Sequence, residues 1–190
     1  IACDDSNTIK TLTLKENKLS GNLPDELFDL TSLTGLSLDH NQQITGTIPS
    51  AIGNLGELTY IELDDNKMTG SIPDQLYDIV TLKAIDLNGN KFIGTISDNI
   101  SNLKDLMVLQ VEDNKFSGPV PWFGLALLDD LLVLYLHNND FDDDDSTAVS
   151  SSLEPLCGRL NDRRVAYPGY LQFMTADCDT IECSCCTQCF

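Results

Sequence analysis

Apolar and polar residues alternate in short bursts along the chain, and the bursts recur. Leu12 and Leu14, Leu36 and Leu38, Ile61 and Leu63, Ile85 and Leu87, Leu109 and Val111, and Leu134 and Leu136 are pairs of apolar residues separated by one position. Alternation with a period of two predicts a short strand with one face in a core. Three residues beyond each pair stands an asparagine, at 17, 41, 66, 90, 114 and 139, so the unit is 24 or 25 residues long. A fixed period of this length predicts a solenoid, because one such unit cannot bury its apolar edge alone and must stack on its neighbours. The asparagine at the turn is placed to satisfy backbone groups that stacking buries. Six copies, the last incomplete, predict a curved rod with a parallel sheet on its concave side.

The second half of the unit reads "LSGNLP", "ITGTIP", "MTGSIP", "FIGTIS" and "FSGPVP". Together with L-x-x-L-x-L-x-x-N, this stretch resembles the plant-type leucine-rich repeat, in which G-x-I-P adds a second short strand. The resemblance covers about residues 9 to 145. It implies an α/β-type solenoid, mostly β, with a right-handed superhelix, and an extracellular recognition role. Such repeats occur in receptor-like kinase ectodomains, receptor-like proteins, polygalacturonase inhibitors, and secreted or membrane-anchored proteins of algae such as diatoms. The chain departs from the pattern at Ser97, which replaces a proline, at an inserted Gln42 or Gln43, and at "PVPWFGLALL"; its sixth unit lacks G-x-I-P. The resemblance also implies that residues 1–8 are the remnant of an N-terminal cap, with Cys3 its second cysteine, and that residues 146–190 form a C-terminal cap.

Thirty acidic residues against 11 basic ones give a net charge of −19 and a pI near 4.1. That balance repels phosphate backbones and anionic membrane surfaces, so nucleic acid is not expected as a partner. No apolar run approaches the roughly 20 residues that span a bilayer, so no direct membrane insertion is expected. The chain starts "IACDD", without an initiator methionine or signal-peptide pattern, and is read as a mature product or an excised piece.

Seven cysteines are present. A structural zinc site needs four converging thiolates, usually from two C-x-x-C knuckles, and only Cys186 to Cys189 forms one. With Cys3 assigned to the N-terminal cap, Cys157, Cys178, Cys183, Cys185, Cys186 and Cys189 remain, and these are expected to close the C-terminal cap as disulfides. Bridges from Cys157 and Cys178 into the terminal cluster are favoured, although six cysteines allow 15 connectivities.

No nucleophile–base set, phosphate loop or kinase signature stands out, so the chain is read as non-enzymatic, with no cofactor and no bound metal. His40 and His137 lie four coils apart, roughly 19 Å at the strand spacing, too far to share a metal; each is read as an ordinary surface residue. Asp140 and the aspartates at 142–145 crowd five carboxylates into six residues without EF-hand spacing. That run is read as a solvated loop with, at most, weak calcium binding. "NIS" at 99–101 makes Asn99 a glycosylation candidate on the convex side. Trp122 and Phe123 in the stretched fifth unit form a second candidate surface, with core filling as the alternative.

Alternation leaves the residues between the inward apolar ones on the concave face. The candidate ligand contacts there are Tyr60, Glu62, Asp64, Asp86, Asn88, Gln110, Glu112, Tyr135 and His137. Aromatic rings among carboxylates suit a protein, peptide or glycan ligand that brings cations. A structural or adhesive wall protein is the alternative. Ice adsorption by Ser/Thr positions beside the glycines is a remote third, because Ile93, Pro119 and the inserted glutamine interrupt that ladder.

Overall fold

The alternating bursts become strands of three to five residues: Ile9–Thr13, Gly35–Ser37, Tyr60–Glu62, Ala84–Asp86, Val108–Gln110 and Val133–Tyr135. They pair in parallel in chain order, with Leu12, Leu36, Ile61, Ile85, Leu109 and Leu134 in register across the sheet. The computed structural model describes residues 1–5, 8–141, 173–176 and 188–189. Ala2–Cys3 adds an antiparallel strand at one edge, and Phe173–Ala176 and Gln188–Cys189 extend the sheet at the other, making nine strands. The inward residues of coils two to six are buried as the pattern requires, whereas Leu12 and Leu14 in the first coil are half-buried. They border a mostly apolar cleft of about 250 Å³ at that end of the core, with Leu19, Leu23 and Leu27.

The repeated asparagines join one coil to the next. Asn114 donates from Nδ2 to the carbonyls of Leu87 at 2.9 Å, Val111 at 3.1 Å and Glu112 at 3.1 Å, while its Oδ1 accepts from the Phe92 N–H at 3.0 Å. Asn41, Asn90 and Asn139 repeat the scheme, accepting from Leu19, Met68 and Phe116. Asn66 differs: its Oδ1 is buried without a partner. The donor in the other coils lies two residues beyond the preceding asparagine. After Asn41 that position is Gln43, whose N–H turns back to the Asn41 carbonyl at 2.7 Å. The extra residue of the second unit therefore removes one rung. The G-x-I-P stretches form strands at Ser20–Gly21, Gln43–Ile44, Thr69–Gly70, Lys91–Gly94, Lys115–Gly118 and Asp140–Phe141; between the second and third coils the regular pairing lapses, but the Lys67 N–H still donates to the Ile44 carbonyl at 2.9 Å and the Thr69 N–H to that of Gly46 at 2.7 Å.

A proline before three of the four 3₁₀ turns presets the entry. Pro24, Pro49 and Pro73 have φ of −74°, −76° and −73° and precede the turns Asp25–Asp29, Ser50–Asn54 and Asp74–Asp78. Ser97 takes the same conformation, φ −73°, before Asp98–Asn102, and its hydroxyl accepts from the Asn99 N–H at 3.2 Å as an N-cap. Its own N–H donates to the hydroxyl of the buried Tyr77 at 3.3 Å, a bond that proline could not make. In the fifth unit the stretched segment becomes a short α-helix, Trp122–Ala126, packed on the Asp98–Asn102 turn.

Cys157, Cys178, Cys183, Cys185, Cys186 and the acidic run at 142–145 lie outside the described residues, and for Cys189 only the backbone strand is described. Cys3 is exposed and joins no disulfide among the described residues. No helix among the described residues is long and apolar enough to cross a membrane.

Candidate ligand-binding face

Strand register lines the concave residues into columns. One column runs Thr13, Ser37, Glu62, Asp86, Gln110 and Tyr135, and the next runs Lys15, Asp39, Asp64, Asn88, Glu112 and His137. The asparagine ladder fixes the second column directly, since Nδ2 holds the carbonyls of Asp39, Asp64, Asn88, Glu112 and His137 at 3.0–3.3 Å. Between these residues and the asparagines the chain turns sharply. Glu16, His40, Asp65, Gly89, Asp113 and Asn138 all have φ between 51° and 62°. Every coil therefore presents its second-column residue from the same backbone frame.

At the neighbouring strand position, Tyr60 is paired with Gly35, and a Cβ on Gly35 would collide with the Tyr60 ring, so the glycine is the seat on which the ring rests. Tyr135 packs edge-on to His137 with ring centroids 6.3 Å apart, and His137 Nδ1 lies 2.6 Å from the hydroxyl of Thr175. His137 is thus tied to the strand beyond the sixth repeat.

Charge is unevenly compensated along the face. At its N-terminal end Lys15 Nζ lies 3.0 Å from Asp39 Oδ2, and the Ser37 hydroxyl donates to Asp39 Oδ1 at 2.6 Å. His40 Nδ1 sits 3.1 Å from Asp39 and 3.2 Å from Asp64, and its Nε2 is 3.0 Å from Asp65. Burial pushes the Asp39 carboxyl up, but the hydrogen bonds from Ser37 and Lys15 outweigh it and leave Asp39 below its usual value. Lys15 is correspondingly raised, first by its hydrogen bond to Asp39.

His40 lies at the surface and also takes part in this cluster. The donor atoms of Asp39, His40 and Asp64 lie within 4.8 Å of one another, a spacing that could hold a cation. Lys15 already pairs with Asp39, and His40 Nδ1 lies between Asp39 and Asp64, so both carboxylates have a partner within the cluster. A signal was present in the sequence: "DH" at 39–40 and "DD" at 64–65 stand one coil apart in the same register.

Further along the face no such compensation exists. Among the described residues no cation pairs with Asp86 or Glu112. Glu112 is 8% exposed and its Oε2 has no hydrogen-bond partner. Burial, with the charge of Asp86 adding to it, pushes Glu112 up to about 7. Asp64 reaches about 7 through burial and then the charges of Asp86 and Asp39. Asp86 is raised chiefly by burial, against hydrogen bonds from the Asn88 N–H at 3.2 Å and side-chain amide at 2.7 Å. Glu62, Asn88, Gln110, Tyr60, Tyr135 and His137 are half-buried, and so present part of their surface outward.

The two remaining candidates separate from this face. Asn99 is exposed on the Asp98–Asn102 turn, away from the sheet. Trp122 is 3% exposed and fills the core, whereas Phe123 beside it is 69% exposed.

Leucine-rich-repeat family models match residues 8–30 and 36–92. A search of curated protein sequences finds no match. Among solved structures, the chain is similar to the leucine-rich-repeat ectodomain of the plant membrane receptor kinase GASSHO1/SCHENGEN3 from Arabidopsis thaliana, in complex with CASPARIAN STRIP INTEGRITY FACTOR 2. Identity is 36% and the TM-score 0.68 over 70% of this chain, which spans 16% of that ectodomain. It is 31% identical to a chain of the BIR3–SERK2 complex from Arabidopsis thaliana, with a TM-score of 0.64, over 75% of this chain and 73% of that one. A plant ice-binding protein is 27% identical, with a TM-score of 0.58, over 70% and 48% of the two chains. Repeat period, asparagine ladder, paired sheets and these likenesses agree: the chain belongs to the leucine-rich-repeat family, in its plant-type form.

Proposed function

We propose that the chain is the ligand-recognition part of an extracellular, receptor-like protein, and that its concave acidic face binds a peptide or protein. The observation that carries this reading is the stretch from Asp86 to Glu112, where a half-buried and a buried carboxylate lack internal cations on a face lined by half-buried tyrosines. Uncompensated buried charge costs stability, so a fold that keeps it on a concave surface suits a partner that supplies the missing charge. The similar Arabidopsis ectodomain was solved in complex with CASPARIAN STRIP INTEGRITY FACTOR 2, which supports a ligand-binding role. In this reading the cysteines after residue 145 staple the C-terminal end, and a glycan on Asn99 shields the turns and leaves the sheet open.

Adsorption to ice is supported less well, despite the similarity to a plant ice-binding protein. Ile93 stands 51% exposed where a hydroxyl would continue the ladder. To test the concave reading, a displayed peptide library is selected on the chain and its winners are measured on the Glu62→Lys, Asp86→Lys, Glu112→Lys triple variant. Capture should fall more than roughly tenfold with the thermal transition retained. Undiminished capture by the folded variant would place the site elsewhere.

A further inference from the structure

We propose that Asp86 and Glu112 together receive one guanidinium group, the arginine side chain of a basic peptide lying along the concave sheet. The proposal rests on the reading of that sheet as the ligand surface and narrows it to a chemistry and a place. Three observations carry it. The first is the charge distribution: Lys15 pairs with Asp39 and the His40 ring lies against Asp39, Asp64 and Asp65, whereas no described cation reaches Asp86 or Glu112. The second is Glu112 Oε2, an acceptor without a donor in a residue 8% exposed, which is a cost the free protein bears. The third is geometry. Asp86 and Gln110 are paired across adjacent strands, and Glu112 lies two residues beyond Gln110 on the same face, so Asp86 and Glu112 are diagonal neighbours on adjacent coils, about 7–8 Å apart at the backbone. A planar guanidinium with five donors can bridge two such carboxylates, which a point-like ammonium does less well. Tyr135, on the next strand and in register with Gln110, offers a ring for the guanidinium to lie against.

The groups facing Glu112 are Asp86 and Asn88 from the preceding coil, Gln110 and Asp113 from its own, and His137 from the following one, which is held by Thr175. Acids dominate this set, and Glu112 is pushed up to about 7 and Asp86 is raised as well, so part of the site carries protons near neutrality. An arriving guanidinium favours the charged carboxylates and expels those protons. Binding should therefore strengthen as pH rises through 7 and should release protons below it.

The test uses an acetylated, amidated glycine–serine peptide carrying two arginines, and its twin with citrulline in both places, titrated into the ¹⁵N-labelled chain. The arginine peptide should shift amides at 86–88 and 110–113 saturably. Its affinity should rise roughly tenfold between pH 5.5 and 8 and fall at least roughly tenfold in Glu112→Gln, with the melting transition confirming that the variant is folded. The citrulline twin should lose binding, and Glu26→Gln, an exposed control, should leave it unchanged. Equal weakening by Glu112→Gln and Glu26→Gln would overturn the proposal in favour of the diffuse field of a chain carrying −19 charges. Equal binding of the citrulline twin on the concave strands would also overturn it while leaving the ligand surface in place. Shifts confined to the 3₁₀ turns would remove both.

Discussion

Replacing Asn114 and Asn66 separately by alanine tests how the coils are joined, because the two residues differ by one hydrogen bond. Asn114 makes three bonds from Nδ2 and accepts one from the buried Phe92 N–H. Asn66 makes the same three donor bonds, to Leu38, Leu63 and Asp64, but its Oδ1 accepts none. The lost carbonyl bonds are partly backed up: Leu87 also accepts from Asn90, and Leu63 likewise keeps a bond from Asn90 when Asn66 is removed. The distinguishing loss is the stranded N–H of Phe92, about 1–3 kcal/mol for an unsatisfied buried donor. Asn114→Ala should therefore cost about 3–4 kcal/mol and Asn66→Ala about 1–2 kcal/mol less. Urea unfolding followed by circular dichroism measures both, read as a shift of midpoint at constant slope. Deleting Gln42 should restore the missing rung and raise the cost of Asn66→Ala to that of Asn114→Ala. Equal costs for the two variants in the native sequence would refute the assignment of the orphaned oxygen to the inserted residue.

Stability should decline as pH rises from about 4 to 7 and level off above 8. Asp64 and Glu112 have folded values near 7, above their unfolded ones, so the folded state binds more protons in that window. For Glu112, raised from 4.5 to about 7, the contribution is at most about 3 kcal/mol at ~1.4 kcal/mol per unit, less where water screens it, and Glu112→Gln should flatten the profile. Ser97→Pro should destabilise by about 1–2 kcal/mol despite the compatible φ, because it strands the Tyr77 hydroxyl; Tyr77→Phe in the same chain should recover most of the loss, as thermal melts would show. Gly35→Ala should dislodge the Tyr60 ring, seen as lost contacts between Tyr60 and residue 35 in NMR, with the fold retained. For the cysteine cluster, intact mass under non-reducing conditions should fall about six hydrogens below that of the reduced chain if three bridges close, whereas bound zinc with four alkylatable thiols would contradict it.

Period and alternation carried most of the architecture. The asparagines at 17 to 139 marked the coils, and the apolar pairs named the inward residues, because a two-residue period admits one assignment of faces once one face is buried. The concave list was legible for the same reason. Pairing within it was not. A single unit shows His40 beside Asp39 alone; that it also meets Asp64 and Asp65 follows from stacking units one coil apart, where residues about 25 positions distant become neighbours. The exception at Ser97 was visible, yet its reason lay in the Tyr77 hydroxyl one coil before it. Trp122 and Phe123 could not be separated by pattern, since the stretched unit breaks the period that would have assigned them, and a short helix turns one ring inward and leaves the other out.

The central claim is that the concave strands hold the ligand, and cross-linking tests it most directly. A peptide selected from a displayed library is remade with a photoreactive residue at each position in turn, irradiated on the chain, and the attachment points are read by mass spectrometry. The account predicts attachment within Tyr60–Glu62, Ala84–Asp86, Val108–Gln110 and Val133–Tyr135 and at the residues just after them. Attachment concentrated on the turns Asp25–Asp29, Ser50–Asn54, Asp74–Asp78 and Asp98–Asn102, or beside Phe123, would contradict it.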